Sequence, residues 1–191
     1  IPVDDVPVGK SEDENVVVDS SGSKPEFSYK PKNHWELAQL HDWIDKERAA
    51  KVAGSRFAYI KGGLVQLQFA IIQYVISKLT DEAFLKDVIK EAELKISSKA
   101  FVPVIPPMIV NTTAYLASAR LDAEEVTYKL ADDEMWLNAS AEHSLCNMYM
   151  NEVLDEKDLP IRYIGYATSF RREAGTYGKD TEGIFRTHQF D

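Results

Sequence analysis

Apolar residues recur along this chain at two spacings, and the spacings divide it into helical and extended stretches. Residues 34–53 carry Trp35, Leu37, Leu40, Trp43, Ile44 and Ala50 at intervals that suit one face of a helix, which Gly54 ends. Arg56–Ile60 reads as a short strand closed by Gly62-Gly63. A stronger amphipathic helix follows over 64–79, where Leu64, Leu67, Ile71, Tyr74 and Val75 fall mostly three or four apart. A second helical pattern covers roughly 81–97, through Phe84, Leu85, Val88, Ile89, Ala92 and Ile96. Phe101–Ile105 reads as a buried strand stopped by Pro106-Pro107, and Pro103 within it argues for an edge or a bulge. Val126–Leu130 and Met135–Leu137 are β runs flanking the acidic turn at 132–134. Ala141–Val153 has a helical pattern, and Ile161–Arg171 and Gly183–Phe190 read as strands joined by a glycine-rich, charged loop. The order of elements predicts a mixed α/β (α+β) domain built on a mostly antiparallel sheet flanked by helices.

The first 33 residues differ in kind. They are rich in Pro, Asp, Glu, Ser and Gly, with only Val16-Val17-Val18 reading as β-like. We expect a linking segment over 1–33 and the domain proper over 34–191. Hydrophobic residues make up 45% of the chain, enough to bury a substantial core. The net charge is −9 and the pI near 5.0, so there is no global attraction for polyanions. No apolar run approaches the roughly 18–20 residues that span a bilayer, and residues 1–10 lack a signal-peptide profile. The single cysteine, Cys146, excludes an internal disulfide and a thiolate metal cluster, and its place on a helical pattern predicts a small buried hydrophobe. A cytoplasmic protein with no membrane contact is the expectation. His34 and His41 stand seven apart with no completing ligands, so no metal site is assigned.

The candidate chemistry gathers at 168–191. Side chains two apart on a strand share a face, so Arg171 and Glu173 point one way, and Arg186, His188 and Phe190 point one way on the returning strand. A hairpin can bring both sets to one surface. Guanidinium groups fork onto phosphate oxygens and a phenyl ring stacks on a base. Gly175, Gly178 and Gly183 would let the connecting loop carry Lys179 over the site. Spacing alone leaves this reading level with an ordinary solvated hairpin face.

The residues themselves resemble a known family. Phe170-Arg-Arg-Glu173, a glycine-containing loop, and Arg186-Thr-His-Gln-Phe190 look like motif 2 of the class II aminoacyl-tRNA synthetases, and the stretch 170–190 resembles the seryl branch nearly throughout. The helix at 64–79 and the strand at 100–107 look like motif 1, the dimerisation element of that class. Leu137-Asn-Ala-Ser-Ala-Glu142 resembles the serine-recognition loop, with Ser140 where the family usually has Thr. Leu116–Arg120 departs from the family's usual Thr-Gly-Gln segment.

The resemblance implies activation of serine by ATP to seryl-adenylate, and transfer of serine to tRNA(Ser). It implies that Ser140, Ala141 and Glu142 hold serine, and that Arg171 bridges serine and the α-phosphate. Arg172 and Glu173 are then expected at ATP, Arg186 at the distal phosphates, Thr187 beside the adenine and Phe190 stacked on it. Arg171 and Arg186 are the catalytic candidates. Magnesium is expected, its ligands lying outside these residues with motif 3. The two-helix arm that grips tRNA is likewise not among them, so the resemblance implies a partial catalytic domain, inactive by itself, from a homodimer. The same fold also serves carrier-protein amino-acid ligases and non-catalytic dimerisation or regulatory modules, which are the alternatives.

Overall fold

The computed structural model describes residues 9–118, 127–172 and 183–191. It divides into two compact units, Ile1–Lys32 and Asn33–Asp191.

In the first unit, one turn of 3-10 helix spans Glu12–Glu14, and the Lys10 amide donates to Glu14 Oε2 at 2.9 Å. Val16, Val17 and Val18 form no strand and are more than 60% exposed, which corrects the β-like reading. Three β-branched residues without a partner strand gain nothing from being extended.

In the second unit the expected helix at 34–53 is two helices. α1 spans His34–Leu40 and α2 spans Lys46–Ala53. Between them Asp42 adopts a positive φ of 52° and Trp43 turns to stack on His41, 4.3 Å between ring centres. Ile44–Asp45, β1, pairs antiparallel with Tyr59–Ile60, β2. Each helix starts on a side-chain cap: Asn33 and Glu36 form a reciprocal capping box on α1, and the Asp45 carboxylate accepts from the Arg48 amide on α2.

The long helix α3 spans Gly63–Leu79. None of its residues is fully buried, and Leu67, Phe69, Ile71, Tyr74 and Val75 are each 42–62% exposed. The next helix, α4, is Glu82–Glu91, shorter than the expected 81–97 because Ala92 caps it and Glu93 turns to a φ of 53°. Among the described residues strand β3, Val102–Val104, is an edge with one partner, and Val102 and Ile105 are 52% and 79% exposed rather than buried.

Two elements had no clear signal. β4, Ile109–Asn111, runs straight into α5, Thr112–Ala117, with Asn111 ending the strand and capping the helix through the Ala114 amide at 2.8 Å. β5 is Met135–Leu137 and pairs antiparallel with β4. The core lies here: Val110, Ala114, Tyr115 and Trp136 are buried together, with Tyr115 and Trp136 stacked at 5.3 Å. Of Val126–Leu130, Val126 lies outside the described residues and the rest makes only a bridge, Lys129 to Trp136.

Helix α6 covers Ala141–Cys146, and turns rather than helix continue toward Val153. Cys146 is exposed, not buried; the inward position of this short helix belongs to His143, which is 2% exposed. The expected strand at 161–171 is two pieces: β6, Tyr163–Gly165, parallel to β3, and β7, Ser169–Phe170, antiparallel to β8, Gln189–Phe190. The result is a mixed α/β unit with antiparallel pairs and one parallel pair. Among the described residues no helix is long and apolar enough to cross a membrane.

Candidate functional site

The site is built where three stretches of chain meet edge to edge. The Asn138 amide donates to Met108 O at 2.8 Å, and the Phe170 amide donates to Asn138 O at 2.9 Å. Asn138 therefore lies between the start of β4 and the start of the hairpin. Its side chain is wholly buried; with its nitrogen turned toward them, it donates to the carbonyls of Thr168 and Met108, each at 3.1 Å. On the other side, the Arg171 amide donates to His188 O at 2.9 Å, and the His188 amide donates to Arg56 O at 3.0 Å. The backbone from Met108 to Arg56 is thus one continuous hydrogen-bonded surface.

The hairpin register settles which side chains share a face. Ser169 opposes Phe190, so Arg171 opposes His188, and these residues stand on one side of the pair. Arg171 crosses the strand. Its Nε donates to the Ala139 carbonyl at 2.9 Å, and its guanidinium carbon lies 5.1 Å from the centre of the Phe190 ring. One side chain therefore joins the loop at 139–142 to the ring at 190. His188 is held by its neighbours: Nδ1 is 2.8 Å from the Arg171 carbonyl, which can only accept, so Nδ1 carries the hydrogen. Its ring lies 5.5 Å from Phe57 and edge-on to Tyr128 at 6.3 Å.

Ser140 caps α6, accepting from the Glu142 amide at 3.4 Å, and Glu142 is exposed in the first turn. Ala141 faces β6. A Cβ placed on Gly165 would fall 2.6 Å from Leu145 Cδ1 and 3.2 Å from Ala141 Cβ, so the bare glycine is what lets α6 lie this close. His143 anchors the same helix through Nδ1, 2.8 Å from Ser118 Oγ.

Arg172 points elsewhere. Its guanidinium lies 5.2 Å from the centre of the Tyr128 ring. Burial pushes the Tyr128 phenol up, and the Arg172 charge partly offsets this. Arg186 and Thr187 are half-buried. Thr187 Oγ1 donates to Gln189 O at 2.8 Å, and Thr187 lines a cleft of about 310 Å³ with Phe57, Gln189 and Phe190. Glu173, Gly175, Gly178 and Lys179 lie outside the described residues. Among the described residues no three His, Cys, Asp or Glu side chains gather as a metal site, so no magnesium ligand is assigned to them.

Sequence reasoning singled out the residues at 140–142 and on the hairpin; it did not single out Asn138, Tyr128 and Phe57, which the structure places beside them. Asn138 carried a faint signal, a polar residue closing the apolar run Met135-Trp-Leu137.

Comparison with known proteins bears on this arrangement. Residues 126–191 match the tRNA synthetase class II core domain (G, H, P, S and T). That stretch of the chain is similar to the class II tRNA synthetases. Among these, the relatives are of the seryl kind. A serine–tRNA ligase of Symbiobacterium thermophilum is 40% identical over all of this chain, and one of Methanocella arvoryzae is 41% identical over 98% of it. The chain spans 42% and 40% of the lengths of these two synthetases. Among solved structures, a cytoplasmic serine–tRNA ligase of Naegleria fowleri in complex with AMP aligns with a TM-score of 0.74 at 28% identity, covering 98% of this chain and 41% of that one. The seryl-tRNA synthetase of Pyrococcus horikoshii complexed with ATP aligns with a TM-score of 0.63 at 41% identity, covering 86% of this chain and 33% of that one. The class II fold of this chain is therefore that of its synthetase relatives.

Proposed function

We propose that this chain forms the substrate-facing part of a serine–tRNA ligase catalytic core. The observation that carries the reading is Arg171, whose side chain spans from the Ala139 carbonyl to the Phe190 ring. In this reading the 139–142 loop receives serine, with Glu142 facing its ammonium group and the Ser140 hydroxyl beside it. The guanidinium of Arg171 faces both the serine carboxylate and the α-phosphate of ATP. Phe190 offers its ring to the adenine and Thr187 lies alongside. Arg186 faces the distal phosphates, and Arg172 and Glu173 complete the ATP side.

The chemistry needs little proton transfer. A serine carboxylate oxygen attacks the α-phosphorus, a new P–O bond forms, and the bond to the β-phosphate oxygen breaks as pyrophosphate leaves. The protein's part is alignment and stabilisation of spreading negative charge, which fixed guanidinium groups supply. Magnesium, when bound, would neutralise phosphate charge, and its ligands are sought outside the described residues. Transfer of serine to tRNA(Ser) completes the cycle in the cytoplasm. The exposed apolar residues of α3, together with the open edge of β3, favour a homodimer formed through 64–79 and 100–107.

The test is serine-dependent ATP–pyrophosphate exchange by the protein carrying this chain. Glu142→Ala removes a charge-assisted contact worth about 1.5–3 kcal/mol, so serine KM should rise roughly tenfold to a hundredfold while ATP KM holds. A variant that weakens ATP and spares serine overturns the assignment of residues 140–142.

A further inference from the structure

Arg171 and His188 occupy one face of the hairpin together with Phe190; the residue after Phe190 points the other way. That residue, Asp191, gathers three donors from two places in the chain. Thr168 Oγ1, directly across the strand pair, donates to Asp191 Oδ1 at 2.8 Å. The Tyr166 hydroxyl donates to Oδ2 at 3.2 Å. Gln68 Nε2, from the middle of α3, donates to the same Oδ2. The Gln68–Asp191 contact stands in the wall shared by two clefts of about 310 and 320 Å³, the first lined by Thr187 and Phe190, the second by Leu64 and Ile71. Burial, followed by the Asp191 charge and hydrogen bond, raises the Tyr166 phenol above its ordinary value, so it remains a donor at neutral pH.

We infer that Asp191 is a positioning residue for the ring of Phe190, fastening the strand behind that ring to α3 and to the chain before β7. The physical argument is leverage across one peptide unit. Phe190 and Asp191 are adjacent and face opposite ways, so fixing the carboxylate fixes the backbone from which the ring projects. The register bonds hold that backbone sideways, within the sheet. Gln68 alone among the three donors comes from a helix, and it holds the backbone in depth, against α3. A flat ring that stacks on a base needs that second restraint, because stacking depends on the ring's height and tilt. Carboxylate hydrogen bonds are about twice as strong as neutral ones, which suits a tether of this kind. The inference rests on the reading of Phe190 as the adenine platform.

The experiment measures adenosine and ATP binding by calorimetry, and serine and ATP KM by pyrophosphate exchange, in the protein carrying this chain. The variants are Asp191→Ala, Gln68→Leu, the pair together, and Phe190→Ala as reference. Asp191→Ala should weaken adenosine and ATP by about tenfold, the scale of one charge-assisted hydrogen bond, with serine KM within about twofold of the parent. Gln68→Leu should weaken them by less, and the pair no further than Asp191→Ala alone, because both act through one contact. If Asp191→Ala lowers the melting temperature and leaves adenosine binding unchanged while Phe190→Ala abolishes it, the positioning role falls and the platform stands. If Phe190→Ala also leaves adenosine binding unchanged, the platform reading falls and the inference with it.

Discussion

Replacing Asn138 by Asp is nearly isosteric and should be among the most damaging changes in the chain. Asn138 has no exposed surface, and its side-chain nitrogen donates to two carbonyl oxygens, of Thr168 and Met108, both at 3.1 Å. An ionised aspartate would set an oxygen against those two oxygens in a fully buried site. The cheaper course is to bind a proton. Holding a carboxyl of ordinary pKa about 3.9 neutral at pH 7 costs about 1.4 kcal/mol per pH unit, or about 4 kcal/mol. The protonated acid still offers one hydrogen where the amide offered two, adding about 1 kcal/mol. Asn138→Ala loses both hydrogen bonds and leaves a small void, about 2–4 kcal/mol, with no pH dependence. The sign follows from linkage. The folded-state pKa of the introduced Asp is raised, so the variant is least impaired below the unfolded value and loses stability as pH rises toward the folded one. Urea unfolding should therefore rank Asp below Ala at pH 7, with the gap closing or reversing near pH 4. Equal midpoints for the Asp variant and the parent at pH 7, or a pH-independent gap between Asp and Ala, would refute the account of Asn138.

Two further outcomes are expected. The Asp45 carboxyl is held below its ordinary 3.8 by the Arg48 amide and then the Arg48 guanidinium, so its contribution is present above pH 3.8 and lost as pH falls through the lower folded value; Asp45→Asn should flatten the acid limb of a melting-temperature profile, and an unchanged limb counts against it. A Cβ on Gly183 would sit 1.9 Å from His34 Nε2, and its φ of 77° adds about 1–2 kcal/mol for any other residue. Gly183→Ala should thus lower the melting temperature, His34→Ala in the same chain should recover the steric part alone, and complete recovery would show that the backbone conformation carries no cost.

The sequence made α3 legible because its apolar positions recur along 17 residues, although the periodicity did not say that none of them would be fully buried. In the hairpin, alternation predicted which residues share a face, but spacing alone left that face level with a solvated one, and only the resemblance singled out Arg171, Arg186 and Phe190. What escaped was decided by tertiary contacts. Asp42 breaks the helical run at 34–53 with a positive φ that neither glycine nor proline announces, because Trp43 gains a ring partner in His41. Asn111 serves as the last residue of β4 and the cap of α5 at once, so no turn residues mark the border. The outward placement of Cys146 follows from His143 taking the inward position, a choice made by Ser118 far along the chain. Asn138 was overlooked because a polar residue at a strand end usually meets solvent, whereas here three stretches of backbone close over it.

The contact between Arg171 and Ala139 has a consequence for tolerance to change. A free arginine side chain carries about 2 kcal/mol of rotamer freedom, and anchoring Nε before any anion arrives removes part of that loss from the binding step. The anchor at the far end is a main-chain carbonyl, 2.9 Å away. No substitution at position 139 deletes a carbonyl. The aim of the guanidinium is therefore insulated from most replacements of its own partner residue, and drift at 139 is limited only by the space that a 1% exposed side chain is given.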